Sequence, residues 1–481
     1  MVFSSITFLI YFFPLVFGMY CILGFSKRLQ NAWLLISSLF FYAWGEPILV
    51  MVMILCIVVN WLFGTILGHQ NEEKKLKQFT LVTAVVFNLM ILGIFKYAMF
   101  AIDSINSVMG MELFARPQIP YAIGVSFFTF QALAYVMDVY RGEAKVQKNI
   151  MRLGLYISFF PKLLAGPIIR YSAFEDQLIN RKMHWNMICK GICRFVEGIL
   201  KKVLLANQLA IVADNIFGLT ISGSTDVPVS AMMAWVGAIA YTLQLYYDLS
   251  SYSDMAIGLG MVFGFTFPEN FSYPFVSKSL NEFLARWHMS LSEWFRRYVY
   301  EPLGGAKDAN QDRMVRNLFI VCLLVGIWHG AKWPYVCWGL FLFVFILFEK
   351  FFQFDRIEKH DGIRRVYTIV VVLLAMVIFR CRDIKQLALF LKDMFNLSGN
   401  GFYSDTALMF LREYGIVFGG AILFALPLRS SVMTIVEKMP ARRIIKEIFG
   451  CCYIVGMFAL FVFCIAILAK GGQNSFIYYY F

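Results

Sequence analysis

A chain of 481 residues that is 60% hydrophobic, 17% aromatic and only 15% charged is too apolar for a soluble fold, where about half of the residues are apolar and a quarter charged. A mean hydropathy of +0.68 points the same way, to a polytopic membrane protein. The net charge of +13 does not call for nucleic acid, because lysines and arginines of membrane proteins gather in cytoplasmic loops and face anionic lipid.

Crossing a bilayer takes about 20 apolar residues, since each backbone polar group must be satisfied inside the helix. Apolar runs fall at 4–24, 32–48, 50–68, 79–101, 120–139, 151–169, 187–217, 231–247, 253–267, 318–332, 333–348, 366–380, 407–428 and 447–469. Several are short or broken, so about 11–13 transmembrane helices are expected, with interfacial or re-entrant pieces between them. The first run is followed at once by others and lacks a small-residue cleavage site, which reads as a retained helix. Lys27 and Arg28 follow it; Lys74, Lys75 and Lys77 lie in the 69–78 loop, and 141–148 is again basic, whereas 102–118 is poor in Lys and Arg. The positive-inside rule then puts loops one, three and five in the cytoplasm and the N-terminus outside. Ten cysteines show no metal-ligand spacing and read as small hydrophobes. No linker or repeat divides the chain. It reads as one integral-membrane domain, 1–481, with a motif-dense core at about 119–340. Two basic stretches near the C-terminus, 349–365 and 437–447, read as cytoplasmic connectors.

The segment "YYDLSSYSD" holds Asp248 and Asp254 between two apolar runs. Carboxylates there are costly if lipid-facing, so they line a chamber, orient another side chain or bond helix to helix. From 274 to 305, Leu280, Phe283, Leu284, Trp287, Leu291, Trp294 and Tyr298 form one stripe at helical spacing. Ser279 and Glu282 have capping-box spacing, Pro302 ends the run, and Glu282–Arg286 and Glu293–Arg297 are i,i+4 pairs. Such a helix is too polar to cross lipid alone and belongs at the interface or along a cavity. His288 would sit at the edge of its apolar stripe, facing a cavity or simply the interface.

From Leu318 to Phe348 only His329 and Lys332 are ionisable. A continuous helix of that length would reach about 46 Å, against a hydrocarbon core of about 30 Å. "GIWHGAKWP" supplies a break, leaving two arms of about fifteen residues with His329 at depth in irregular backbone. Such backbone is tolerated only inside protein or beside water. A histidine there is a functional candidate, with a structural hydrogen bond between helices as the competing reading. Lys332 reads as snorkelling to an aqueous face. A neutral imidazole can take a proton from a hydroxyl near pH 7. His69, His184 and His360 lie in polar segments, and no zinc motif is present, so no metal site is expected. Nucleophile-elbow, phosphate-loop and dinucleotide fingerprints are also absent, which leaves base-assisted direct transfer.

The stretches "FYAWGEP" (41–47), "IGVSFFTFQALAYVMDVYRGE" (123–143), "FFPKLLAGPIIRY" (159–171), "QLYYDLSSYSDMAIGLGMVFGF" (244–265), "FPENFSYPF" (267–275), "RWHMSLSEWFRRYVYEPLGG" (286–305) and "VGIWHGAKWPYVCWGL" (325–340), with "MVFSS" at the start and "NSFIYYYF" at the end, resemble the membrane-bound O-acyltransferase family. The resemblance is to its branch for bacterial alginate and exopolysaccharide O-acetylation. It implies an all-α bundle in the bacterial cytoplasmic membrane around a central reaction chamber joining the two faces. It also implies acetyl-CoA as a donor substrate entering from the cytoplasm, with no bound cofactor. The acceptor would be an extracytoplasmic polysaccharide or a secreted SGNH-type acetyltransferase. The family's essential histidine maps onto His329, as general base, and its second motif histidine onto His288. Asp248, Asp254, Arg286, Trp287 and Trp328 are chamber or substrate-binding candidates. Arg286 would meet donor phosphates or anionic lipid, and packing is the alternative for both tryptophans. D-alanyl transfer to teichoic acid is the rival on the same fold. A secondary transporter with Asp248, Asp254 and His329 as proton relay is the rival of another class.

Overall fold

The computed structural model describes residues 1–69, 73–116, 119, 123–222, 228–305, 311–352, 360–428, 434 and 442–471. The regular elements among them are all helical. Parts of the basic connectors 349–365 and 437–447, and the tail "NSFIYYYF", lie outside the described residues.

Eight helices among the described residues are long and apolar enough to cross a membrane: Thr7–Phe25, Leu49–Leu67, Lys74–Met109, Trp185–Thr220, Trp333–Phe351, Asp361–Arg380, Asp405–Phe424 and Glu447–Ala469. Other helices matched by apolar runs in the sequence are shorter or more polar, among them Lys27–Ala43, Val125–Tyr140, Ala231–Val262 and Gln311–His329. Val125–Tyr140 and Ala231–Val262 are buried along nearly their whole length. Protein surrounds these two, so their polar side chains find partners that lipid could not offer.

Ala231–Val262 is the central post. At 32 residues it is about 48 Å long, longer than the hydrocarbon core. The sequence suggested two runs, 231–247 and 253–267, on either side of a polar interruption. The helix instead continues through that interruption, because Asp248 and Asp254 meet cations from the neighbouring helix. That neighbour, Trp185–Thr220, crosses the post at a pair of glycines. A Cβ on Gly258 would lie 2.6 Å from the Gly191 carbonyl oxygen, and a Cβ on Gly191 would lie 2.6 Å from that of Gly258. Only two hydrogen side chains allow backbones that close.

Two 36-residue helices, Lys74–Met109 and Trp185–Thr220, each contain a π turn, at Gly93–Tyr97 and Lys201–Ala206. Each π turn brings lysine into the bundle: Lys96 in the first, Lys201 and Lys202 in the second. The break expected at "GIWHGAKWP" is present, with Gln311–His329 ending at the histidine and Trp333–Phe351 starting four residues later. Its arms are longer than the fifteen residues expected, at 19 each. Polar Gln311–Arg316 is helical too, so an arm of about 28 Å nearly spans the core. The turn's depth therefore does not follow from arm length. Burial by neighbouring protein decides it.

The amphipathic stretch also differs from one continuous helix. It is Leu280–Arg286, then Met289–Phe295 running into a π turn at Arg296–Tyr300. The break falls on His288, whose φ of 46° and ψ of 51° are left-handed. Ser279 Oγ accepts from the Glu282 amide at 3.1 Å as expected of a cap, while Glu282 reaches back to the Lys278 amide at 2.8 Å. Glu282 pairs with Arg286 at 2.9 Å. The expected Glu293–Arg297 pair is replaced: Glu293 pairs with Arg296 and Arg170, and Arg297 with Glu143. Cys56, Cys322, Cys381 and Cys464 are buried free thiols.

Candidate active site

His329 is the last residue of its helix, where backbone carbonyls lose their intrahelical donors. Two side chains from the Gly93–Tyr97 π turn replace those donors. Lys96 donates to the Trp328 carbonyl, and the Tyr97 hydroxyl donates to the Ile327 carbonyl at 2.9 Å. The Lys96 ammonium also lies 5.2 Å from the centre of the Trp328 ring. Cationic charge at a helix C-terminus is electrostatically favourable as well as geometrically apt. The hairpin behind His329 is pressed tight, for a Cβ on Gly326 would meet the Tyr335 carbonyl oxygen at 2.5 Å and one on Gly339 that of Cys322 at 2.4 Å. The imidazole itself stands edge-on to three rings: Trp328 at 4.8 Å, Trp338 at 5.0 Å and Phe379 at 4.9 Å between centroids. It is held by packing and remains half-buried.

His288 is held by a different device. Asn270 accepts the Met289 amide on its backbone oxygen at 2.9 Å, and its Oδ1 accepts the Ser290 amide at 3.1 Å and the Ser290 hydroxyl at 2.9 Å. Ser290 Oγ in turn accepts the Ile168 amide at 3.0 Å. These bonds fix the backbone on the C-terminal side of the left-handed residue. Left-handed geometry at a non-glycine residue is sparsely populated and persists where the surroundings over-determine it. His288 is buried, with only 4% of its surface exposed.

The two histidines share one cavity, lined mainly by apolar side chains including Leu245, Leu249, Val325 and Phe379. Trp287 lines it as well and packs on Phe283 at 5.3 Å. A mostly apolar chamber with a few convergent polar groups has the character of a small-molecule site.

The other sequence candidates stand elsewhere. Trp328 is buried against Phe130, with centroids 5.5 Å apart, and supports His329 from outside the cavity lining. Asp248 pairs with Lys202 in the bundle interior. Asp254 pairs with Arg194 at 2.9 Å and Lys201 at 2.6 Å. Arg286 pairs with Glu282 and donates to the Ser272 carbonyl at 3.3 Å. None of these four lines the cavity. Among the described residues no cluster of three His, Cys, Asp or Glu could hold a metal ion.

Sequence reasoning overlooked Lys96, Tyr97, Asn270, Trp338 and Phe379. A lysine within the apolar run 79–101 was a signal in plain view, since charge at such a place is costly without a use. The others carry no local signal, for they are defined by what they face.

The chain is a helical membrane bundle with two histidines on one mainly apolar cavity, and the comparison with known proteins says which class it belongs to. Residues 36–382 match the membrane-bound O-acyltransferase family, and the chain belongs to it. It is a multi-pass membrane O-acyltransferase. The chain is 38% identical over 400 residues to the probable alginate O-acetylase AlgI of Pseudomonas putida, covering 82% of this chain and 80% of that one. It is 30% identical over 433 residues to the peptidoglycan O-acetyltransferase of Helicobacter pylori, covering 83% and 80%. Similarity to the teichoic acid D-alanyltransferase of Bacillus subtilis is 30% over 240 residues, covering 48% and 59%.

Proposed function

We propose that this enzyme, acting as one integral-membrane domain, moves acetyl from cytoplasmic acetyl-CoA to hydroxyls of an extracytoplasmic polysaccharide, directly or through a secreted SGNH-type acetyltransferase. The observation that carries the reading is the single cavity shared by His288 and His329. His329 acts as general base. It takes the proton of the acceptor hydroxyl as that oxygen attacks the thioester carbonyl carbon, and returns it to the leaving thiolate. His288, across the same cavity, positions donor or acceptor. The apolar walls keep water from competing with the acceptor hydroxyl. With the N-terminus outside, the basic loops face the cytoplasm, where the donor is found.

Acetyl is favoured over D-alanyl because the two O-acetylating relatives align over four-fifths of the chain and the D-alanyl relative over about half. A proton-relay transporter has no support here, since Asp248 and Asp254 are engaged by cations away from the cavity. Purified protein given labelled acetyl-CoA and a polysaccharide or SGNH acceptor should transfer label. His329→Ala should reduce turnover by about 100–10,000-fold, the usual contribution of a positioned base. Full turnover in His329→Ala removes the proposed mechanism, and transfer from a D-alanyl carrier protein in place of acetyl-CoA reassigns the donor.

A further inference from the structure

Lysine and arginine are sparse in short outer loops, because each resists translocation. On the proposed topology one outer corner breaks that rule, and it lies beside His329. Asn317 donates to the Leu303 carbonyl at 3.0 Å, which ties the start of Gln311–His329 to the end of the segment where Arg297 pairs with Glu143 of the 141–148 loop. That helix has 19 residues, so His329 and the hairpin turn lie about 28 Å away, towards the opposite face. Asp361–Arg380 ends there too, with Phe379 packed on His329 at 4.9 Å.

Two cations are anchored at this point from different helices. Lys332 follows His329 by three residues, and Arg382 follows Phe379 by three. Three residues of chain span at most about 11 Å, so both cations are rooted close to the imidazole. Both are exposed, and Lys332 lies within electrostatic range of Arg380 and Arg382. The carboxylates of this corner are already engaged. Asp214 pairs with Arg380 at 2.7 Å, and Asp383 accepts the Gln386 amide at 2.8 Å as the cap of Ile384–Met394. Neither Lys332 nor Arg382 has an ion-pair partner among the described residues. The 102–118 loop shows the ordinary arrangement, for its one cation, Arg116, is balanced by Asp103 at 3.1 Å. Like charges held near each other without a counter-charge repel, and an anion placed between them relieves that repulsion.

We propose that Lys332 and Arg382 form an extracytoplasmic binding subsite for an anionic group of the acceptor, a carboxylate on a glycan, and so bring a neighbouring hydroxyl of that glycan to His329. The inference rests on the acyl-transfer reading with the acceptor entering from outside. A guanidinium offers a carboxylate two parallel N–H donors, and the lysine adds a compact charge. Both contacts are open to water, so binding is modest and weakens with salt.

The test reads binding, so it does not depend on turnover. Full-length protein in nanodiscs of a zwitterionic lipid is titrated with a soluble oligouronate, and with the same oligosaccharide after its carboxyls are reduced to alcohols. The oligouronate should bind more tightly, with a Kd that rises with ionic strength. Exchanging both cations, Lys332→Gln with Arg382→Gln, should weaken oligouronate binding about fivefold or more, the loss of two exposed charge contacts. Both side chains are exposed, so the thermal midpoint of that variant should stay near wild type. Lys145→Gln with Lys148→Gln removes the same charge from the 141–148 loop and should weaken binding less than about twofold. Equal losses in the two double variants would assign the binding to net charge and overturn the subsite. Equal affinity for the charged and reduced glycans, or binding of neither, overturns it as well. So does unchanged oligouronate binding in the Lys332 and Arg382 variant, the result expected if these cations serve lipid headgroups. Acyl transfer by His329→Ala is measured beside the titrations. If His329→Ala is fully active while the titrations come out as expected, the base reading fails and the subsite stands. If His329→Ala is inactive and the titrations fail, the base reading stands without the subsite.

Discussion

At the scale of single residues, the proposed mechanism depends on placing one imidazole, and the groups that place it are as specific as the imidazole. Lys96 reaches the last turn of the His329 helix from another helix and holds the carbonyl immediately before the histidine. Replacing it by Met keeps the length and removes the donor, leaving the Trp328 carbonyl without that bond. A misplacement of about 1 Å can cost about 100-fold in rate, so Lys96→Met should lower kcat about 10–100-fold with a smaller change in KM. Lys96→Arg, which restores a donor and a charge, should recover much of that loss. A variant that loses thermal stability but keeps kcat would show that Lys96 only packs. His329 stood out in the sequence because an ionisable residue in an apolar run is costly. His288 was singled out by its motif. Its left-handed backbone was not foreseen, because Asn270, far from it in the stripe's periodicity, sets that conformation.

Between elements, the amphipathic segment is tied to the hairpin by a buried carboxylate. Glu349, near the end of Trp333–Phe351, accepts from the Leu280 amide at 2.6 Å and from the Asn281 amide and side chain at 3.2 Å each. It thereby fixes the start of Leu280–Arg286, the helix that leads into His288, to the arm that follows His329. Removing one partner of a charge-assisted buried bond costs about 1–3 kcal/mol. Glu349→Ala should therefore lower the thermal midpoint in detergent and loosen both histidines, whereas Glu349→Gln, still an acceptor, should lose less. Equal stability in Glu349→Ala and wild type would dismiss this strut. Periodicity located the amphipathic segment and "GIWHGAKWP" located the hairpin turn, but neither reports which helix meets which. The continuous post Ala231–Val262 shows the same gap: its polar middle looked like a boundary because Lys202 and Arg194, the partners that make it tolerable, lie 46 and 60 residues away in sequence.

Across the whole molecule, hydropathy recovered the all-helical membrane bundle, yet two helices, Val125–Tyr140 and Ala231–Val262, fall outside the eight described helices that are long and apolar enough to cross lipid on their own. The reason is physical. Hydropathy measures the cost of lipid, whereas Val125–Tyr140 and Ala231–Val262 are enclosed by protein and answer to a different solvent. Charge, by contrast, speaks to orientation, because lysine and arginine resist translocation wherever they sit in short loops. On the proposed topology the 102–118 loop is outside and the 141–148 loop inside. Glu112 and Lys145 are exposed positions in these two loops. In a background with the ten native cysteines replaced, an impermeant thiol reagent applied to intact spheroplasts should label Glu112→Cys and spare Lys145→Cys until the membrane is opened. The reverse pattern would invert the proposed route, with the donor entering from the face assigned here to the acceptor. The proposed reaction needs opposite access for its two substrates, since acetyl-CoA is cytoplasmic and a cell-surface glycan is not. Orientation is therefore part of the catalytic argument: the side on which Lys145 reacts decides which substrate can reach His329 from which face.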